Sequence, residues 1–355
     1  MQVLIDAINW SLVIDFAIIM VKIMVLVGVL FSLPMPLTWI ERKVAGHIHA
    51  RLGPFRVGPH GILQPLADTI KMLVKEILIP TKADKLIFII APFMAMVPIM
   101  MAMAVVPFGE NVTIPFINKE ITLSVSNMNV GVIYVLALSG LAVYGIIFGG
   151  WASNSKYALL GGLRSTAQMI SYEVAMTFAV VGVVMLTNTL NLGDIVRAQG
   201  GGFWNWNVFY LPVGPIWFFI FLVAGIAEMN RIPFDLPEDE GVLAAGYNVE
   251  YSGMLFSFFM LAEYVALFSV SVFSVLFFFG GWQDPFAGIL NFPIPIPPVF
   301  WFFVKIAAFI YFFMWLRFTI PRYRYDQLMT IGWKILIPLS LVTLLVTGIM
   351  RIYLS

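Results

Sequence analysis

Eight apolar runs in this chain are each long enough to cross a lipid bilayer, at approximately 10–33, 86–108, 129–150, 167–188, 211–229, 254–280, 299–319 and 335–354. A hydrocarbon layer about 30 Å thick takes roughly 20 apolar residues as a helix. Inside it every backbone N–H and C=O must find its partner within the spanning structure, which leaves a run of this length only the helix. Composition agrees, with 61% hydrophobic and 11% charged residues over 355 positions, where ordinary globular domains carry about a quarter charged. The chain therefore reads as an all-α polytopic membrane protein, a single membrane domain over 1–355.

With eight spans both termini share a side and the loops alternate. One set of loops and helix ends carries fifteen bases, namely Arg42, Lys43, Arg51, Arg56, Lys71, Lys75, Lys82, Lys85, Lys156, Arg164, Arg231, Arg317, Arg322, Arg324 and Lys334. The other set carries three, Lys119, Arg197 and Arg351, while Lys22 and Lys305 lie inside spans. Basic residues concentrate in cytoplasmic loops. Both termini are thus expected outside, and the loops at about 34–85, 151–166, 230–253 and 320–334 in the cytoplasm. The N-terminal stretch carries Asp6 and Asp15 rather than a basic segment, and no small-residue cleavage site follows the first run. That run is expected to be a retained helix and not a signal peptide.

The first cytoplasmic loop carries a pattern of its own. Between Gln64 and Ile79, Leu66, Ile70, Leu73, Val74 and Ile77 recur at helical spacing, and Gln64, Asp68, Lys71 and Lys75 fall on the other face. This predicts an amphipathic helix along the membrane surface. Its polar face either serves a surface anchor or lines a cavity, and pattern alone does not separate the two. The absence of cysteine removes disulfides, thiol catalysis and Cys-ligated clusters. A net charge of +1 with no dense basic patch gives no nucleic-acid reading. His47, His49 and His60 fall in the same loop, but the first two would point to different sides of a helix, so no metal site is expected.

The acids are unevenly placed. Seven of nineteen, Glu228, Asp235, Glu238, Asp239, Glu240, Glu250 and Glu263, lie between 228 and 263 against one base, Arg231. Carboxylates at membrane depth are costly unless they pair, face water or handle protons. Glu228 ends the fifth run, Glu263 lies well inside the sixth, and Glu173 lies several residues into the fourth. Each is either a protonated side chain bonded to a neighbouring helix or a desolvated group poised to exchange a proton. Their number favours the second reading jointly. Arg231 either balances Asp235 and the nearby glutamates or shapes a chamber beside Pro233, Phe234 and Asp235. Asp15 and Lys22, seven apart, share a face of the first run, and Lys305 has no acid near it in sequence.

Four blocks carry a family resemblance. They are E-R-K-V-A-G-H-I-H-A-R-L-G-P-F-R-V-G-P-H-G-I-L-Q-P-L-A-D-T-I-K-M-L-V-K-E (41–76), A-L-L-G-G-L-R-S-T-A-Q-M-I-S-Y-E-V (158–174), E-M-N-R-I-P-F-D-L-P-E-D-E (228–240) with N-V-E-Y-S-G-M (248–254), and P-R-Y-R-Y-D-Q-L-M (321–329) with G-W-K (332–334). In order and across nearly the whole chain, they resemble the H-type membrane component of respiratory complex I, the proton-pumping NADH:quinone oxidoreductase. The resemblance implies a subunit of a bacterial plasma membrane on which the peripheral arm docks. With two peripheral-arm subunits it would form the chamber where a quinone enters from the bilayer. FMN and iron–sulfur clusters would sit in partner subunits, and small membrane subunits and antiporter-like subunits would be further partners. This chain itself would hold no cofactor or metal.

The resemblance also implies roles for residues. A carboxylate relay would include Glu173, Glu228, Glu238, Glu240 and Glu263. The quinone chamber would draw on Glu41, Arg42, Lys43, Asp68, Lys71, Arg231, Phe234 and Asp235. Arg42 and Lys43 also read as plain topology anchors after the first span, and Asp68 with Lys71 as a modest i, i+3 ion pair. The chain departs from the family at Val242, where a third glutamate is usual, and at Asp239, where a small residue is usual. Rival readings are the homologous membrane subunit of an energy-converting hydrogenase or another ferredoxin- or deazaflavin-linked complex, and a stand-alone secondary transporter. The transporter would predict paired inverted repeats with helices broken at the bilayer midplane, and neither is visible here.

Overall fold

The structure, a computed structural model, describes residues 10–114, 119–235, 246–287 and 296–354. Helices follow the apolar runs. Helix α1 (Trp10–Ser32) breaks at Leu33 and resumes as α2 (Pro34–Ile48). The break falls where Pro34 and Pro36 remove two backbone donors. Then come the surface helix α3 (Gln64–Val74), α4 (Lys85–Ala102), α5 (Gly131–Ala152), α6 (Lys156–Thr187), the short α7 (Leu192–Ala198), α8 (Val213–Glu228), α9 (Gly253–Phe278) and α10 (Pro298–Thr319). A final rod is built from α11 (Tyr325–Thr330), a π-helical turn at Ile331–Leu336, and α12 (Ile337–Leu354).

Among the described residues seven stretches are long and apolar enough to cross a membrane, and α8 is a shorter apolar helix of 16 residues. At 1.5 Å per residue α8 is about 24 Å long. The protein is thus a multi-pass membrane protein. The described residues are helical except for loops and one antiparallel pair between α4 and α5, β1 (Val112–Ile114) with β2 (Lys119–Ile121), in which Val112 faces Ile121. The all-α expectation misses this pair because three-residue strands contain too few alternations to register as a period.

One segment read as a loop is helical, and one predicted helix is shorter than its pattern suggests. Residues 156–166 form the first turns of α6, which runs unbroken through Gly161 and Gly162. These glycines serve close approach and not a turn: a Cβ on Gly162 would stand 3.4 Å from the Gly150 Cα of α5. The amphipathic helix, predicted to reach Ile79, stops at Val74, with Lys75 in extended conformation. Beyond it the chain is tied to the start of α9: Ser252 Oγ accepts from Leu78 N (2.9 Å) and donates to the Glu76 carbonyl (3.4 Å).

Helix α9 is the axis of the bundle, with 83% of its most apolar window buried, against 6% for the stretch beginning at Ile14. Its C-terminal end is fixed by side chains rather than lipid. Lys305 of α10 donates to the carbonyls of Phe279 (2.8 Å), Gly281 (3.0 Å) and Gln283 (2.8 Å) and lies 4.3 Å from the Trp206 ring centre. These three carbonyls and one ring are the partners that the sequence could not name. At the same end Lys22 donates to Thr122 Oγ1 and the Ser124 carbonyl, linking α1 to the segment that follows β2.

The tightest helix pair is α4 with α5. A Cβ placed on Gly145 would come within 2.3 Å of the Ala95 backbone nitrogen, so the helices meet backbone to backbone. Overfilling a packed interior costs about 1–3 kcal/mol. Gly145→Val is therefore expected to lower the thermal unfolding midpoint of the membrane-extracted protein and the amount retained in membranes. An unchanged midpoint would contradict this close approach.

Candidate functional site

Four charged side chains from four segments meet at the end of the bundle opposite Lys305. Arg231 follows α8 in a turn closed by the Phe234 N–H donating to the Arg231 carbonyl (2.8 Å). Its Nε donates to Glu263 Oε1 of α9 (2.7 Å), and its NH1 donates to Glu41 Oε2 of α2 (3.4 Å). The second guanidinium, Arg317 in the last turn of α10, binds Glu41 Oε1. Tyr264 donates its hydroxyl to Glu41 Oε2 (2.8 Å), and its ring centre lies 4.7 Å from the Arg231 guanidinium.

The Arg231 side chain is 3% exposed and that of Glu41 7%. Two carboxylates face two guanidiniums, so the cluster can be buried without net charge. Burial pushes the Arg231 guanidinium down, but the charges of Glu263 and Glu41 outweigh it, and its pKa is raised above the ordinary value. Arg231 stays a cation.

Next to this cluster the interior opens into two small, mainly apolar cavities that carry a few polar side chains. A cavity of about 40 Å³ is walled by Glu228, Asn230, Tyr247 and Glu263 among apolar side chains. A second, of about 60 Å³, is walled by Glu228, Ser139 and Ser269 among apolar side chains. Each is large enough for water, and Glu228 is the carboxylate common to both. Glu173 of α6 lies over Gly140 of α5, where a Cβ would sit 2.8 Å from its Oε1. It is within electrostatic reach of Glu228. A far larger cavity, about 630 Å³, lies along α1 and the segment from β2 to Val125, and among the described residues Lys22 is its only charged wall. It shares no lining residue with either of the smaller cavities.

The other predicted residues fall into separate groups. Asp68 on α3 accepts from Arg42 NH1 (2.7 Å) and Gln64 Nε2 (3.2 Å), with Lys71 Nζ at 3.8 Å. Partial burial pushes the Asp68 carboxyl up, yet the hydrogen bond and charge of Arg42, with Gln64 and Lys71, outweigh it and hold it below its ordinary value. Lys43 lies 5.8 Å from the ring centres of both Trp39 and Phe55. Phe234 is flanked by Tyr172 (5.6 Å) and Tyr323 (5.7 Å). Asp235 is met by Arg322 NH2 (3.5 Å). Of the two readings of Arg231, balancing Asp235 is therefore not where its own contacts go. Glu238, Asp239, Glu240 and Val242 lie outside the described residues. Among the described residues no group of three or more His, Cys, Asp or Glu side chains is placed to hold a metal.

Sequence reasoning missed Arg317 and Tyr264. Arg317 ends an apolar helix, where a base reads as a topology anchor, and Tyr264 is one aromatic among many. The signal was the E-Y pair at 263–264: adjacent positions on a helix can both contribute to one cluster when its centre lies between them.

The family profile described as NADH dehydrogenase matches residues 21–348. The chain belongs to that family. It is 54% identical over 339 residues to an H-type NADH-quinone oxidoreductase subunit of Rhizobium meliloti (strain 1021), covering 96% of this chain and 99% of the relative. It is 49% identical over 334 residues to the corresponding protein of Geobacter sulfurreducens, covering 94% and 96%.

Two outcomes are expected from this geometry. Arg231→Gln leaves Glu263 without its guanidinium in a buried site, a loss of about 3–5 kcal/mol. It should lower the unfolding midpoint more than Glu263→Gln, which leaves Arg231 still bound to Glu41. Equal midpoints would contradict the shared role of Arg231. The Arg42–Asp68 pair follows pH. Because the folded carboxyl titrates below its unfolded value, the pair contributes above that unfolded value and is lost as pH falls through the folded one. Limited proteolysis of the 49–63 segment should therefore accelerate toward acid pH, and Arg42→Gln should remove that dependence.

Proposed function

We propose that the chain is the H-type membrane subunit of a bacterial NADH-quinone oxidoreductase, helping to enclose the quinone and coupling its reduction to proton translocation. The relatives' names supply the complex, and the buried Arg231 cluster carries the reading. A guanidinium held between Glu41 and Glu263, beside cavities that share Glu228, joins a charged chamber wall to carboxylates at membrane depth. The chamber wall comprises Glu41, Arg42, Lys43, Asp68, Lys71, Arg231, Phe234 and Asp235. The relay runs through Glu263, Glu228 and Glu173, with Glu238 and Glu240 completing it.

The topology of this reading is one domain over 1–355, with α8 as an eighth span and both termini outside. Fifteen bases then lie on the cytoplasmic side in the bacterial plasma membrane. Quinone takes up two electrons and two protons to become quinol. The electrons come from a cluster in a partner subunit and FMN lies further upstream, so this chain supplies electrostatics and proton paths. Two peripheral-arm subunits close the chamber, and small membrane and antiporter-like subunits continue the proton path.

Negative charge arriving at the chamber strengthens its interaction with Arg231, weakening in turn the hold of Arg231 on Glu263. A proton shift through the water-sized cavity to Glu228 follows that change. Buried charges act strongly at short range because little solvent screens them. A ferredoxin-linked relative would share this architecture, but the named relatives favour the quinone-linked branch.

Glu228→Gln and Glu240→Gln are each expected to lower quinone reduction and proton pumping together, by roughly tenfold or more given the 10²–10⁴ worth of a positioned proton-transfer group, while the complex still assembles. Coupled turnover at the unaltered rate in both variants, measured in reconstituted vesicles, would overturn the reading.

A further inference from the structure

One fully buried side chain, absent from both the chamber and the relay, controls the segment that carries Arg231. Gln168 lies on α6 with no exposed surface. Its Nε2 donates to the Ala227 carbonyl (2.8 Å) at the end of α8 and to the Phe234 carbonyl (2.8 Å) at the far end of the Arg231 turn. A carboxamide nitrogen has two N–H groups, and these two short bonds use both. One side chain thus bonds to both ends of the segment 227–234.

The same face of α6 grips the segment elsewhere. Ser165 donates to Asn230 Oδ1 (3.3 Å), and Asn230 Nδ2 lies 3.6 Å from Met169 Sδ. Asn230 itself is in the left-handed region (φ 51°), a conformation that needs such support. One turn further along α6, Tyr172 packs on Phe234, and Glu173 follows it. The helix that carries Glu173 is therefore the helix that sets the span of the turn holding Arg231.

We infer that Gln168 is a positioning residue for coupling: its two donated hydrogen bonds set where Arg231 stands relative to Glu228 and Glu263. This rests on the proposed coupling role of those residues. Gln168 touches neither quinone nor proton in this scheme. Its effect passes through the geometry of the segment, where a misplacement of about 1 Å can cost on the order of a hundredfold in rate.

The test uses the whole complex carrying Gln168→Met, which keeps the length of the side chain and removes both donors, and Gln168→Glu, which regains one O–H donor only when protonated. NADH oxidation by an artificial acceptor at the peripheral arm should be unchanged in both, since it does not pass through this chain. Quinone reduction should fall by roughly tenfold in Gln168→Met, the order expected from two lost hydrogen bonds, and protons pumped per electron should fall with it. In Gln168→Glu the ratio of mutant to wild-type rate should fall as pH rises, because deprotonation replaces the donor with a charge facing two carbonyls.

The charged and titratable groups around the segment, Arg231 with Glu263, Asp235 with Arg322, Glu228, Tyr172 and Tyr323, are common to the wild type and both variants, and the Gln168→Met profile, which has no carboxyl at 168, is the reference for their titration. Coupled turnover of Gln168→Met at the wild-type rate overturns the inference, as does a ratio for Gln168→Glu that is flat with pH. If Gln168→Met does not assemble, the pH profile of Gln168→Glu decides alone. Failure of both to assemble overturns positioning in favour of a folding role. A normal Gln168→Met beside an impaired Glu228→Gln sinks this inference and leaves the proposed function standing. Normal turnover in Glu228→Gln and Glu240→Gln sinks that function whatever Gln168 does.

Discussion

The contact on which the rest depends is the Arg231 guanidinium bound between Glu263 and Glu41, with Arg317 closing the second side of Glu41. No single partner could be buried alone. Removing water from one charge in a low-dielectric interior costs several kcal/mol, and mutual attraction offsets this only when geometry is good and the remaining donors and acceptors are used. Here α2, the turn after α8, α9 and α10 each contribute one charge, and the Tyr264 hydroxyl completes Glu41.

Well-packed apolar residues would give comparable stability at such a junction, often more. Retaining four charges in a chain with so few therefore points to chemistry. The arrangement supports it, because the cluster does not end in a sealed core. Glu263 belongs both to the ion pair and to the wall of the 40 Å³ cavity, where Glu228 stands opposite, and Glu228 opens onto the 60 Å³ cavity beyond. In the proposed coupling, a change in what Arg231 binds would be passed to Glu228 across that cavity.

Much of this was legible in the sequence, for identifiable reasons. Long apolar runs announce themselves by length, and a buried acid in a greasy run is conspicuous, so Glu173, Glu228 and Glu263 could be singled out at once. Pairing was not legible. Arg231 lies four residues before Asp235, yet it binds Glu41, 190 positions away, while Asp235 is met by Arg322. Sequence distance favours the wrong partner because the turn at 231–234 sends adjacent side chains in different directions. Loops were read too generously where glycine marked them. Gly161 and Gly162 serve a close crossing inside α6, and composition does not tell a crossing from a turn. Gln168 was invisible as a functional residue because a buried carboxamide has no pattern; only its two carbonyl partners give it a role.

The two halves of the site differ in their freedom to move, and that difference decides where a charge signal can go. Helix α9 is buried along its length and pinned at its far end by Lys305, which holds three carbonyls, and by Gln199, which donates to the Leu276 carbonyl (2.9 Å) and accepts from the Gly280 N–H (3.0 Å). Displacing Glu263 would mean moving that whole rod through a close-packed interior, which transmits strain and yields little. The turn at 229–235 has no comparable length of helix behind it. It is held by hydrogen bonds from one face of α6, each worth about 1 kcal/mol, by the Tyr323 N–H donating to the Pro233 carbonyl (3.1 Å), by Arg322 at Asp235 and by the ion pairs of Arg231 itself. In the proposed coupling, a rearrangement that follows a change of charge at Arg231 would fall on that turn sooner than on α9, and Gln168, which bonds the Ala227 and Phe234 carbonyls, would be one of its restraints.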